Sequence, residues 1–93
     1  MEAPMVQVVE NHAEIDGQLI EIRPDPDRPG FVLLTVEVRG VGPVGAWPNL
    51  FERDVGKTIA IVARGDTSAA RNSKGHQIKL RVKKVRPNLS FAE

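Results

Sequence analysis

His76–Arg86 reads HQIKLRVKKVR. Ile78, Leu80 and Val82 alternate with Lys79, Arg81 and Lys83, a period of two that puts an apolar row on one face of a strand and cations on the other. The stretch predicts a half-buried strand of a small β-protein, with a positive stripe facing water or a polyanion. The alternation breaks at Lys83-Lys84. Either Val85 returns to the core side after a bulge, the preferred arrangement, or Lys84 snorkels at the rim.

The rest of the chain reads in the same idiom. Met5–Glu10 (MVQVVE) is a short β-like run, an extra edge strand or a frayed arm within residues 1–12. In Ala13–Arg23, Ile15 and Leu19 share one parity and Ile20 and Ile22 the other, which predicts a bulged strand near Gly17 to Ile20. Pro24–Gly30 holds three prolines and forms a stiff hairpin connection. Phe31–Arg39 is the clearest strand: Val32, Leu34, Val36 and Val38 make the core row. Phe31 and Leu33 on the other row are either a contact surface or the end of a second core layer.

Gly40–Trp47, interrupted by Pro43 and three glycines, predicts a short, bent third strand. Asn49-Leu50-Phe51-Glu52 has the spacing of a helical capping box, with Gly56 placed to close the helix. Lys57–Arg64 returns to strand, Gly65–Gly75 is a polar loop, and Pro87 stops the basic strand, leaving residues 87–93 as a mobile tail unless Leu89 and Phe91 dock. The expectation is one all-β domain, a small five-stranded barrel over about residues 13–86 with one short helix between strands 3 and 4.

Gly17 within a long first strand, the proline-rich hairpin, and the Asn49–Asp54 turn running into Val55-Gly56-Lys57 and Ile59-Ala60-Ile61 carry a resemblance. This arrangement resembles the helix–glycine–strand passage of OB-fold domains such as bacterial single-stranded-DNA-binding proteins. The resemblance is one of architecture over about residues 13–86. The chain departs from that family in its aromatic supply and its interrupted third strand. An SH3-like barrel is the competing architecture, and the short helix at Asn49 counts against it.

Ninety-three residues allow a single modest core. With no cysteine, disulfides and thiolate metal sites are excluded, and a reducing cytoplasm fits. No secretory pattern opens the chain, and no apolar run nears the ~20 residues that cross a bilayer, so no membrane association is expected. The net charge of +1 hides an asymmetry: residues 1–54 sum to −6 and residues 55–93 to +7. Either the second half presents a basic binding face, or the two halves pair in space and cancel.

Several short motifs match by spelling alone. Gly40–Gly45 spells GxGxxG, but Pro43 and Pro48 leave no helix for a pyrophosphate. Gly56-Lys57-Thr58 precedes a strand rather than a phosphate-binding helix, and Arg64-Gly65-Asp66 and Asn88-Leu89-Ser90 require secretion to matter. His12 and His76 are the only histidines and lie far apart, so no metal site is expected. Asp25 and Asp27 lack the alternating donors of a calcium loop. No nucleophile–base set emerges around Ser68, Ser73 or Ser90. No catalytic residue and no cofactor is expected.

Binding is the function that the composition leaves. Single-strand binders combine a cationic groove with aromatic rings on which bases stack. The candidate cations are Arg39, Arg64, Arg71, Lys74, Lys79, Arg81 and Lys83, and the candidate platforms are Phe31 and Trp47. Against this stand only four aromatics, an acidic first hairpin, and the alternative that Trp47 packs in the core. Exposed Lys and Arg also protect sheet edges. The leading expectation is a non-enzymatic module for single-stranded or structured nucleic acid. The rival is a protein-interaction module using Phe31, Leu33, Trp47 and Phe51 as an apolar patch.

Overall fold

A computed structural model describes residues 9–65, 75, 77–86 and 88–93. Five strands appear: β1 (Ala13–Pro24), β2 (Phe31–Pro43), β3 (Thr58–Arg64), β4 (Gln77–Arg86) and β5 (Leu89–Ala92). They close into a barrel in the order β1-β2-β3-β5-β4, with β4 returning to β1. Neighbours are antiparallel except β3 and β5, which run parallel. The all-β class and the five-stranded barrel are as expected, and the arrangement is compatible with an OB-like fold.

The alternation in β4 sets one wall of the core. Ile78, Leu80 and Val82 turn inward against Gly17, Ile15 and Ala13, and Leu34, Val36, Val38 and Ile61 close the other side. The parity switch in β1 is real. Register shifts fall between Asp16 and Gly17 and between Leu19 and Glu21. The first skips Arg39 on β2 and the second skips Ile20 on β1, which stands exposed. Inward positions therefore change from Ile15, Gly17 and Leu19 to Ile22. Gly17 admits no side chain: a Cβ there would lie 2.5 Å from the Glu37 carbonyl oxygen and 2.6 Å from Val36 Cγ1.

Four expectations are corrected. Gly40–Pro43 is not a separate strand; the Arg39 bulge bends β2, which continues along β1 to Pro43. The helix is a single 3-10 turn, Glu52–Asp54, lying between β2 and β3. Asn49 Oδ1 accepts the Phe51 N–H at 2.9 Å instead of capping a helix, because Phe51 must turn fully into the barrel before Gly56, at φ +86°, redirects the chain. The tail is the fifth strand: Leu89–Ala92 fills the gap between β3 and β4, so the barrel runs to Ala92 rather than ending near residue 86.

The fourth correction concerns Val85. A bulge does fall between Lys84 and Arg86, yet Val85 is the extra, exposed residue and does not rejoin the core. Lys84 snorkels instead. Its Nζ reaches the Leu50 carbonyl at 3.1 Å and Asp54 Oδ2 at 3.2 Å, lying 4.7 Å from the centre of the Phe51 ring. On the β1 side of the same position, Asn11 Nδ2 donates to the Lys84 carbonyl and Asn11 Oδ1 accepts the Lys84 N–H, both at 2.8 Å. Residues 5–8 of the early β-like run lie outside the described residues, as does most of the Gly65–Gly75 loop.

Candidate functional site

Outward residues fall into two surfaces with different chemistry. The β4–β1–β2 surface carries both signs. Lys79 stands opposite Asp16, and its Nζ lies 3.6 Å from Glu14 Oε1 and 4.0 Å from Asp16 Oδ1. Arg39 donates from Nη2 to Gln18 Oε1 at 2.6 Å and sits 3.4 Å from Glu37 Oε1. Arg81 stands opposite Glu14. An open cleft of about 530 Å³ lies between these groups, lined by Asp16, Arg39, Gln77 and Lys79 around Gly17. Acidic and basic halves of the chain thus meet on this side and offset one another.

A second row of outward residues runs around the closed barrel from β1 through β2, β3 and β5 to β4, and the second surface is its β2–β3–β5 part. Register places Arg23 beside Leu33, Leu33 beside Val62, Val62 beside Phe91, and Phe91 beside Lys83. Adjacent members of such a row are one strand spacing apart, about 4.8 Å. Because Ile61 and Ala63 point into the core, Val62 points outward, and it is nonetheless only 2% exposed. The middle of the row is therefore closely packed, with a cation at each end. Phe31 and Arg64 pair directly alongside, and the Arg28 guanidinium carbon lies 5.4 Å from the centre of the Phe91 ring. No described carboxylate lies within ion-pairing distance of Arg23, Arg81 or Lys83.

Arg28 is held by the hairpin between β1 and β2. Asp25, with a side chain 2% exposed, accepts the Asp27 N–H at 2.9 Å and Arg28 Nη1 at 3.0 Å. The Asp27 N–H, with Arg28 adding to it, holds the Asp25 carboxyl below the usual aspartate value, against the opposing push of burial. The acidity of this hairpin is thus partly internal: one of its two carboxylates is already occupied.

The candidate residues consequently separate. Phe31, Arg64 and Lys83 come together on the second surface. Arg39 and Lys79 sit among carboxylates on the first, with Arg81 at its edge. Trp47 is 46% exposed and outside the core, but it lies beyond the far end of β2 from Phe31. Its ring meets His12 edge-on at 5.0 Å, and His12 contacts Glu93 at 2.7 Å and Glu10 at 3.8 Å. Arg71 and Lys74 lie outside the described residues.

Sequence reasoning missed Arg23, Arg28 and Phe91. The alternation Leu89-Ser90-Phe91-Ala92 directly after a proline was the available signal for β5, and Asp25 three residues before Arg28 was the signal for the hairpin pair. Among the described residues no cluster of His, Asp and Glu is placed to hold a metal ion, and no helix is long and apolar enough to cross a membrane. No family model, curated protein or solved structure matches the chain.

Proposed function

We propose that the chain is a non-enzymatic OB-type module that binds single-stranded or structured nucleic acid across its β2–β3–β5 surface. The observation that supports this reading is the row Arg23–Leu33–Val62–Phe91–Lys83, with Phe31, Arg64 and Arg28 beside it. Val62 is sealed beneath its neighbours, so a ligand meets the half-buried Phe31, Leu33 and Phe91 with Arg23, Arg28 and Lys83 around them, cations beside rings that suit a charged backbone with flat, apolar bases. The strand stretches that form the opposite surface carry no Phe or Trp, and two of its cations, Arg39 and Lys79, already face carboxylates. A protein-interaction patch built from Phe31, Leu33, Trp47 and Phe51 has less geometric support. Phe51 is sealed in the core, and Trp47 lies at the other end of β2 from Phe31.

Titration of a labelled single-stranded oligonucleotide, followed by fluorescence anisotropy at two salt concentrations, tests the proposal. Binding that weakens steeply with salt, and that Lys83→Ala and Phe91→Ala reduce, supports it. Absence of binding at low salt rejects it.

A further inference from the structure

The β1–β2 hairpin contains a carboxylate where a polyanion site has no evident use for one. Asp25 is almost fully buried and spends both oxygens locally, on the Asp27 N–H and on Arg28 Nη1. The hairpin around it is closed at the backbone: Asp25 N–H donates to the Phe31 carbonyl at 3.0 Å, and Phe31 N–H donates to the Arg28 carbonyl at 3.1 Å. Residue 25 is thereby fixed to the start of β2, and through Asp25 so is the guanidinium.

A guanidinium has five N–H donors in a planar fork. Asp25 engages Nη1, and Arg28 remains one-third exposed, so donors are left facing solvent above Phe91. Asp25 is the buried member of this pair and would lose its charged partner if Arg28 left, so meeting Arg28 in place costs a ligand less than pulling it away. It meets Arg28 where it stands.

We propose that Asp25 is the positioning residue of this interface. It fixes Arg28 over the Phe91 ring so that the free side of the guanidinium receives a phosphate while a base meets the half-buried rings of Phe31 and Phe91. This rests on the nucleic-acid reading above and adds an assignment that charge counting contradicts. By charge alone, every carboxylate near the row weakens polyanion binding, and its removal strengthens it. A positioning role gives Asp25 the opposite sign.

The experiment compares full-length Asp25→Asn, Asp27→Asn and Arg28→Lys with the unmodified chain. Each is titrated into a fluorescein-labelled oligothymidylate of about fifteen nucleotides at several salt concentrations. Asp25→Asn keeps the acceptor for the Asp27 N–H but releases Arg28. It is expected to weaken binding about tenfold and to flatten the salt slope by about 0.7, one phosphate contact on a single strand. Asp27→Asn, which removes an exposed carboxylate two residues on, is expected to tighten binding about twofold. Arg28→Lys keeps the charge without the fork and is expected to lose nearly as much as Asp25→Asn. Thermal melts accompany each titration; if Asp25→Asn is unfolded, Arg28→Lys, which leaves Asp25 in place, decides the matter. Tightening by Asp25→Asn, or unchanged binding by Arg28→Lys, overturns the positioning role while leaving the interface standing. No binding by the unmodified chain at low salt removes the interface and this role together.

Discussion

Lys79 and Lys83 lie four residues apart on β4, both exposed and both pointing outward, yet they inhabit different surfaces. Lys79 stands across from Asp16 and near Glu14; Lys83 stands across from Phe91. What separates them is the neighbouring strand: β1 flanks the first half of β4, and β5 flanks the second. Alternation along one strand fixes which residues face outward, but the adjacent strand decides what each charge meets. The positive stripe of the sequence is thus two half-stripes with separate chemistry.

The largest effect is expected at Gly17, which seats β1 against β2 and on which both surfaces depend. Gly17→Ala places a methyl within 2.6 Å of Val36 Cγ1 and closer still to the Glu37 carbonyl oxygen. We expect a loss of about 3 kcal/mol and a melting temperature lowered by more than about 10 °C, measured by thermal denaturation. A stable, fully folded variant would contradict the tight seating of this bulge.

Next in size is the contrast between half-buried Phe91 and exposed Trp47. Phe91→Ala is expected to cost about 1–3 kcal/mol in oligonucleotide affinity by anisotropy, and Trp47→Ala less than about 0.5 kcal/mol. The intrinsic fluorescence of Trp47 should accordingly change little on binding. Quenching of that indole at saturation would extend the interface past Lys83 to His12, on which Trp47 packs.

The lysines themselves provide the third comparison. Lys83→Ala is expected to reduce the salt slope of single-strand binding by about 0.7, the value for one phosphate contact, whereas Lys79→Ala leaves it nearly unchanged. Equal slopes for the two variants would merge the surfaces.

The smallest effects belong to the carboxylates. Glu14→Gln and Asp16→Asn, both solvent-exposed, should each alter stability by less than about 0.5 kcal/mol. Asp25 differs because its carboxyl is held below the ordinary value of 3.8 in the folded chain. Its contribution to stability is complete above that value and is lost as the pH falls through the lowered one. Urea denaturation between neutral and acidic pH should show this acid-side decline in the unmodified chain and a shallower one in Asp25→Asn.

Much of the barrel was legible because its rows obey strict periodicity. Val32–Val38 and Ile78–Val82 declared their inward faces, and the parity change between Leu19 and Ile22 marked the β1 bulge. The continuation of β2 past Gly40 was hidden because glycine and proline carry no alternating signal, and the pairing comes from β1 rather than from local preference. β5 was hidden because four residues are too few for periodicity to speak, and its place depends on the gap that β3 and β4 leave. The candidate interface was legible in its cations and in Phe31. Its assembly was not, since Arg23, Val62, Phe91 and Lys83 adjoin only through register between strands distant in sequence.

Asn11 has a consequence for how molecules of this chain meet one another. It occupies the place in line with Lys84 that β1 would fill had the strand begun two residues earlier, and its primary amide supplies one donor and one acceptor there. A peptide group and a carboxamide are chemically alike, so a lone side chain completes a missing rung. The Lys84 N–H and carbonyl are thereby already satisfied and offer no open pair for a foreign strand to match.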